Sequence, residues 1–273
     1  MKISVLKKDA LSNLSGKWGT AIVINLVFII LSIALNMIPG LVEDEMISSL
    51  IALFIAIITL PFSFGLLASM IKLSRGENTG IMDFVTVGLA NIGKVFSIYL
   101  RLILKLWLPI VLFFASIALV GLGAFLGLAG TISTEVLLVL MLAGSVIAII
   151  ASILYITKSL LYSLALYLLH DNPNATAKEL LEKSAELMKG NRWKLILVEL
   201  SFFGWYILIG FVSGIATAFL LLVGPILLYA AVLILMPYVT FTLISFYEHV
   251  AGIEDVKEVV AEGAQIDDST NNE

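Results

Sequence analysis

Residues 193–222 read WKLILVELSFFGWYILIGFVSGIATAFLLL and carry only two charged side chains, Lys194 and Glu199. The hydrocarbon core of a bilayer is about 30 Å thick, and a helix crosses it with about 20 apolar residues. Three residues, 223–225, lead into a second apolar run that covers residues 225–248. The pair therefore predicts two membrane helices joined by a tight turn.

Four further apolar runs lie upstream, over residues 20–39, 47–73, 99–127 and 135–169. The chain is 60% hydrophobic and 13% charged, whereas soluble domains carry about 25% charged residues. The sequence thus predicts an all-α membrane protein with six transmembrane helices. The first run is longer than the apolar region of a signal peptide and has no good cleavage site, so we expect a retained helix.

All 16 Lys and Arg residues fall towards one side of the membrane: eleven lie outside these runs, and five lie inside them, namely Lys72, Arg101, Lys105, Lys158 and Lys194. The loops on the other side, residues 39–47, 127–135 and 223–225, contain no basic residue. Because basic loops stay in the cytoplasm, we expect both termini there. Anionic inner-leaflet lipids attract such flanks by about 1 kcal/mol per basic residue, and we expect them as partners. Residues 250–273 are acidic and are predicted to be a disordered cytoplasmic tail.

The spans are predicted to form three parallel repeats, each an interfacial helix followed by two membrane helices. The repeats cover about 1–76, 80–170 and 174–249 of a single domain, 1–249. Each enters the membrane through a glycine, Gly16, Gly93 or Gly190, that is expected to end the interfacial helix in a left-handed conformation. The predicted interface anchors are Trp18, Trp193, Lys17, Lys94 and Arg192. Alternatively, any helix that enters from the cytoplasm carries such residues at its start.

The ends of copies one and three also match. The matched residues are Pro61, Ser69, Lys72 and Gly76 in copy one, and Pro237, Ser245, Glu248 and Gly252 in copy three. Proline interrupts helical hydrogen bonding, so kinks are predicted at Pro61, Pro109 and Pro237. The clearest interfacial helix is 176–189, where Thr176 and Glu179 form a capping box.

Residues 135–169 as one helix would be about 52 Å long, so this span either tilts strongly or leaves the bilayer at its end. Lys158 would then lie near the inner boundary, where its ammonium group can reach the headgroups. Asn25 and Ser201 are candidates for hydrogen bonds between helices.

Glu199 lies six positions after Trp193, about 9 Å into the span. A carboxylate at this depth costs a few kcal/mol unless it is paired, protonated or hydrated. One interpretation is a structural pair with Arg101 or Lys105. The other is part of a proton, cation or headgroup path, and the two can coexist.

Residues 184–195 (SAELMKGNRWKL) and 199–205 (ELSFFGW), with the pairs Pro237-Tyr238 and Phe246-Tyr247, resemble a bacterial integral-membrane family. That family is known as domain of unknown function 975. It usually has Asp where this chain has Glu199. The resemblance is strongest over the C-terminal third, and it implies a multi-pass bacterial plasma-membrane protein but no particular activity.

The residues favour a non-enzymatic protein. The chain has no cysteine, no phosphate-binding loop, no His-Glu-x-x-His and no pair of membrane-embedded acids. We therefore expect no catalytic residue, metal or cofactor, and the lack of a basic-aromatic array argues against nucleic acid. The leading hypothesis is transport or handling of lipids or hydrophobic molecules. The alternative is a structural or assembly scaffold that shapes the membrane; protein partners are not indicated.

Overall fold

The computed structural model describes residues 2–253, and this part of the chain folds into helices. The α-helices are α1 (Ile3–Leu14), α2 (Trp18–Met37), α3 (Glu45–Ser74), α4 (Asp83–Ala90), α5 (Ile92–Leu128), α6 (Thr134–Ser159), α7 (Ala165–Asp171), α8 (Ala177–Leu187), α9 (Arg192–Phe219) and α10 (Val223–Val250). Short 3-10 helices cover Pro39–Leu41 and Leu160–Tyr162. From residue 254 onward, the predicted acidic tail lies outside the described residues.

Within residues 2–253, six helical stretches are long and apolar enough to cross a membrane, with mean hydropathies between 2.1 and 2.8. Large apolar side chains cover their outer surfaces, as at Leu128, which is 91% exposed. Such a surface requires a lipid environment, so the predicted all-α fold with six spans is confirmed and the chain is a multi-pass membrane protein. Because six crossings return the chain to its starting side, α2 begins and α10 ends on one side, here called the N-terminal side.

A shorter helix precedes each pair of long helices: α1, α4 and α8. This order matches the predicted repeat unit, while the threefold repeat itself stays a prediction. Gly16 and Gly190 have φ angles of 73° and 86°, which confirms their left-handed conformation. Gly76 and Gly252, matched by spacing at the ends of copies one and three, have φ angles of 82° and 70°.

The expectation for Gly93 was wrong, because this glycine lies inside α5. One residue, Asn91, separates α4 from α5, and its φ is negative, with φ −109° and ψ 10°. Its side-chain amide donates a hydrogen bond to the Val87 carbonyl at 2.9 Å. That bond satisfies a carbonyl at the end of α4, so the turn needs no left-handed glycine.

The helices group into two compact units. The first contains the described residues up to 96, 166–174 and those from 193 on, and the second contains 97–165 and 175–192. This division differs from the three predicted repeats, whose boundaries stay a prediction. In the first unit, side chains of α1, α2, α3, α4 and α10 share a buried core that includes Leu14, Ile24, Ile71, Phe84 and Phe241.

Helix α4 packs on α3 through two glycines. A Cβ atom on Gly88 would lie 2.5 Å from the Pro61 carbonyl oxygen, and one on Gly65 would lie closer still to the Phe84 carbonyl oxygen. The backbones of the two helices are therefore in direct contact. On the neighbouring side, the ring of Phe28 meets Phe84 edge-on at 5.7 Å.

In the second unit, Gly123 and Gly127 of α5 lie close to Leu140 and Leu137 of α6, and α8 packs on the 3-10 helix Leu160–Tyr162. The fourth span is interrupted where one continuous helix was considered. Helix α6 ends at Ser159, and Ser184 of α8 bridges the interruption. Its hydroxyl donates to the Leu161 carbonyl at 2.9 Å and accepts from the Leu164 amide at 3.2 Å. These bonds satisfy backbone groups that the interruption frees, so the span needs neither a strong tilt nor a 52 Å helix.

Candidate functional site

A buried ionic cluster joins the ends of three helices on the N-terminal side of the first unit. Arg75, directly after α3, donates from its two terminal nitrogens to the two carboxylate oxygens of Asp171 at 2.6 and 3.0 Å. Its Nε donates to Glu248 of α10 at 2.7 Å. The side chains of Arg75 and Asp171 are each 17% exposed and that of Glu248 is 4% exposed. All three donor groups of one guanidinium are thus engaged by two carboxylates.

Tyr247 completes this cluster. Its hydroxyl donates to the second carboxylate oxygen of Asp171 at 2.6 Å, and its ring lies 5.2 Å from that of Tyr167. Asp171 therefore accepts three hydrogen bonds, all from groups that belong to the other two helix ends. Charge-assisted bonds of this kind are shorter and stronger than neutral ones.

The cluster fixes the charge of Arg75. Burial acts to lower the pKa of Arg75, but hydrogen bonds and charges from Asp171 and Glu248 outweigh it and raise the pKa above its ordinary value. The guanidinium therefore stays charged at every physiological pH. A cation that never loses its proton cannot act in a proton relay. The cluster is therefore better suited to holding the ends of α3, α7 and α10 together.

Sequence reasoning missed this cluster. Glu248 was matched only to Lys72 by spacing, and neither Asp171 nor Arg75 was singled out. The available signal was that spans two, four and six each end on the same side with a charged residue: Arg75, Asp171 and Glu248. Opposite charges at helix ends that meet at one face are expected to pair when they are shielded from water.

Within the first unit, helix α1 also contacts α9 through a cation. Lys7 donates to the Ser201 carbonyl at 3.1 Å, and its ammonium nitrogen lies 4.1 Å from the centre of the Phe202 ring. Burial lowers the pKa of Lys7. The Ser201 hydroxyl instead bonds to the Val198 carbonyl of its own helix. Asn25 is buried and donates both to its own helix, at the Ala21 carbonyl, and to the Met70 sulfur of α3.

Glu199 lies on an exposed face of α9 in the first unit, whereas Arg101 and Lys105 belong to the second unit. Its pairing with either cation stays a prediction. Counting about 20 residues back from Phe219, the end of α9, places the boundary of the hydrocarbon core near Leu200. Glu199 therefore lies at the edge of the core rather than deep within it.

The other predicted residues occupy the following places. Pro61, Pro109 and Pro237 each lie inside a helix that continues past them: α3, α5 and α10. Among the anchors, Trp193 is exposed and Trp18 packs against the core of the first unit. Lys17 donates to the Ser74 carbonyl at 3.5 Å. Lys94, Lys158 and Arg192 are partly buried.

The second unit contains a basic pocket of about 220 Å³ on its N-terminal side. Its walls are Arg101, Leu104 and Lys105 of α5 with Lys178 and Glu182 of α8. The ammonium nitrogen of Lys105 lies 5.4 Å from the centre of the Tyr162 ring. The pocket joins three cations and one carboxylate, which suits it to an anion.

Farther along α5, the same unit has an apolar cavity of about 370 Å³ that is open to the surface, since its lining side chains Phe113 and Phe114 are 43% and 65% exposed. Apolar and aromatic side chains of α5 and α6 line it: Pro109, Ile110, Phe113, Phe114, Ala151, Tyr155 and Ile156, with Ser152. The Ser152 hydroxyl donates its hydrogen bond to the Ala148 carbonyl of its own helix, so it adds little polar character to the cavity wall. The lining is suited to a hydrocarbon chain.

Comparison with known proteins places the chain in a family. The family described as "Protein of unknown function (DUF975)" matches residues 1–254, so this chain belongs to it. The comparison with curated proteins gave no match, and neither did that with solved structures.

Proposed function

We propose that this member of the DUF975 family binds and handles lipids or other hydrophobic molecules in a bacterial plasma membrane, without catalysing a reaction. The observation that carries the proposal is the apolar cavity between α5 and α6. Its volume of about 370 Å³ lies in the range of small-molecule sites, about 300–1,000 Å³. A cavity of this character inside a membrane-spanning unit is directly accessible to acyl chains.

Pro109 supports this proposal because it lies in the wall of the cavity and in the middle of α5. Proline cannot donate to the carbonyl four residues earlier, and its ring displaces the preceding turn. A bend of α5 at Pro109 would move this helix away from α6, and the space opened between the two helices would be the cavity. The lining side chains Phe113 and Phe114 extend the apolar surface along the helix.

The orientation that we propose follows from charge. The loops on the N-terminal side carry the basic residues, whereas those on the other side carry Glu43, Asp44, Glu45 and Glu135. By the positive-inside rule both termini are cytoplasmic. The N-terminal side then faces anionic inner-leaflet lipids, which are the partners we propose.

Photocrosslinking tests lipid binding in the cavity. Purified protein in nanodiscs would be illuminated with a phosphatidylcholine that carries a diazirine in one acyl chain, and labelled peptides would be mapped. We expect labelling of residues 109–114 and 151–156 to exceed that of other lipid-facing segments. Ser152→Phe should fill the cavity and reduce this labelling.

Ser145→Phe is the matched control, since Ser145 lies on an exposed face of the same helix and also bonds to its own helix. It should leave labelling of the cavity unchanged. Equal labelling in wild type and in Ser152→Phe would contradict the proposal.

A structural or assembly scaffold is the second candidate, and the surface of α8 favours it. This helix buries Ala177, Leu180, Leu181 and Ser184 and presents Lys178, Glu179, Glu182, Lys183 and Glu186 to the outside. A charged face of this kind on the N-terminal side suits a protein partner. The crosslinking experiment separates the two candidates, because a scaffold predicts no preference of lipid for the cavity over other lipid-facing segments.

A further inference from the structure

We propose, resting on the lipid binding proposed above, that the second unit is a site for one anionic phospholipid. Arg101, Lys105 and Lys178 bind its phosphate, and the apolar cavity between α5 and α6 holds one of its acyl chains. This assignment joins two features that the fold places along a single helix, α5: a basic pocket and an apolar cavity.

The pocket has an excess of positive charge. It contains three cations and one carboxylate, Glu182, whose nearest oxygen lies 3.9 Å from the Lys178 ammonium nitrogen. The side chains of this pair are 66% and 57% exposed, so the pair is weak and leaves Lys178 available to an anion. Arg101 can bind two phosphate oxygens through its planar guanidinium group.

The depth of each feature matches a phospholipid. Helix α5 ends at Leu128 on the far side of the membrane, and about 20 residues counted back from there place the near boundary of the hydrocarbon core close to Leu108. Arg101 and Lys105 therefore lie at the level of the headgroups. Pro109 and Phe113 lie within the hydrocarbon region.

The spacing between the two features also fits one molecule. Positions 101, 105, 109 and 113 are four residues apart, so they follow one ridge of the helix. From Lys105 to Phe113 the helix rises about 12 Å. This distance spans the glycerol and the first part of an acyl chain, so one lipid can reach both features.

The positive charge of the pocket favours an anionic lipid over a zwitterionic one. Basic pockets between membrane helices on the cytoplasmic side are suited to anionic headgroups. Phosphatidylcholine brings its own cation into a pocket that already has three, whereas phosphatidylglycerol does not. We therefore expect the pocket to select phosphatidylglycerol.

The experiment compares two diazirine lipids that differ only in headgroup, phosphatidylglycerol and phosphatidylcholine, in nanodiscs that contain the full chain. Wild type should label residues 109–114 and 151–156 more strongly with phosphatidylglycerol. Arg101→Gln and Lys105→Gln should each reduce this preference by about 5-fold, from about 1 kcal/mol per basic side chain. Lys183→Gln is the control, because Lys183 is exposed on α8 and is not part of the pocket wall.

Glu182→Gln is the variant that distinguishes a loss of binding from a loss of folding. Removing the one carboxylate of the pocket should increase the preference for phosphatidylglycerol, a gain that a damaged fold would not produce. No preference in wild type, or a preference unchanged by Arg101→Gln and Lys105→Gln, would overturn the anionic site. Cavity labelling that is equal for the two lipids but lost in Ser152→Phe would overturn this site and leave the broader lipid binding supported.

Inorganic phosphate distinguishes a lipid headgroup from a soluble anion. Millimolar phosphate should leave the labelling preference unchanged, since a free anion has no acyl chain to place in the cavity. If phosphate abolishes the preference while cavity labelling by phosphatidylcholine persists, the pocket binds a soluble phosphate and the lipid assignment is wrong.

Discussion

Asp171 accepts two parallel hydrogen bonds from Arg75, at 2.6 and 3.0 Å, across 96 residues of sequence. The contact ties the end of the second span to the end of the fourth. Glu248 adds the end of the sixth through the third donor of the same guanidinium. One arginine thus connects the last turns of three helices whose remaining surfaces are largely apolar.

Arg75→Ala should destabilise the protein strongly. The change leaves Asp171 and Glu248 without their cation in a mostly buried position, and breaking such a pair costs about 3 kcal/mol. Arg75→Lys should have an intermediate effect, because lysine keeps the charge but cannot form the two-pronged contact. The free energy of unfolding in mixed micelles measures both, with Lys72→Ala on the same helix as control. Equal stability of Arg75→Ala and Lys72→Ala would contradict a joint at this position.

Tyr247→Phe should cost about 1.5–3 kcal/mol, the range for a hydrogen bond to a charged group. The variant keeps the ring that lies against Tyr167 and removes only the hydroxyl that Asp171 accepts. Tyr229→Phe is the matched control, since Tyr229 is exposed on the same helix. The same unfolding measurement applies, and a Tyr247→Phe protein as stable as the control would show that the hydroxyl contributes nothing.

Hydrophobic runs predicted the six spans because lipid imposes a length and a composition on each helix separately. Capping at Thr176 was predictable for the same reason, since the motif is local, and its capping box is present. The ionic cluster was not predictable from local pattern, because Arg75 and Asp171 are brought together by tertiary packing. The interruption after Ser159 was missed because it depends on Ser184 of another helix.

Gly88→Ala should destabilise the first unit. Its Cβ atom would lie 2.5 Å from the carbonyl oxygen and 2.9 Å from the carbonyl carbon of Pro61, and backbone atoms can yield only if α4 moves away from α3. Overpacking of this kind costs about 1–3 kcal/mol.

Gly93→Ala is the control, because nothing lies within 4 Å of its Cβ position. In α5 that change should stabilise the protein by up to about 1 kcal/mol. Equal unfolding free energies for the two variants would contradict the close contact of α3 and α4.

Reporter fusions should confirm the proposed orientation. Fusions after Asp44, Glu77, Thr131 and Pro173 should read outside, inside, outside and inside, because the basic loops remain in the cytoplasm. The fusion after Pro173 is the most informative, since it follows the interrupted fourth span. An external location for that fusion would contradict six crossings with cytoplasmic termini.

Glu199 allows a prediction that separates pairing from a transport path. If it pairs with Arg101 or Lys105, Glu199→Gln should lower the free energy of unfolding by about 1–3 kcal/mol, because a cation loses its partner. Arg101→Gln or Lys105→Gln in the same chain should then cost less than it does alone. A double-mutant cycle measures this coupling, and zero coupling with both cations would exclude the pair.

If Glu199 lines a path instead, Glu199→Gln should abolish transport of the lipid while the protein remains folded, since the amide fills the same space but cannot ionise. Glu199→Ala with wild-type stability and wild-type transport would exclude both interpretations. The carboxylate, which lies on an exposed face of α9, would then simply extend to the headgroups at the edge of the hydrocarbon core.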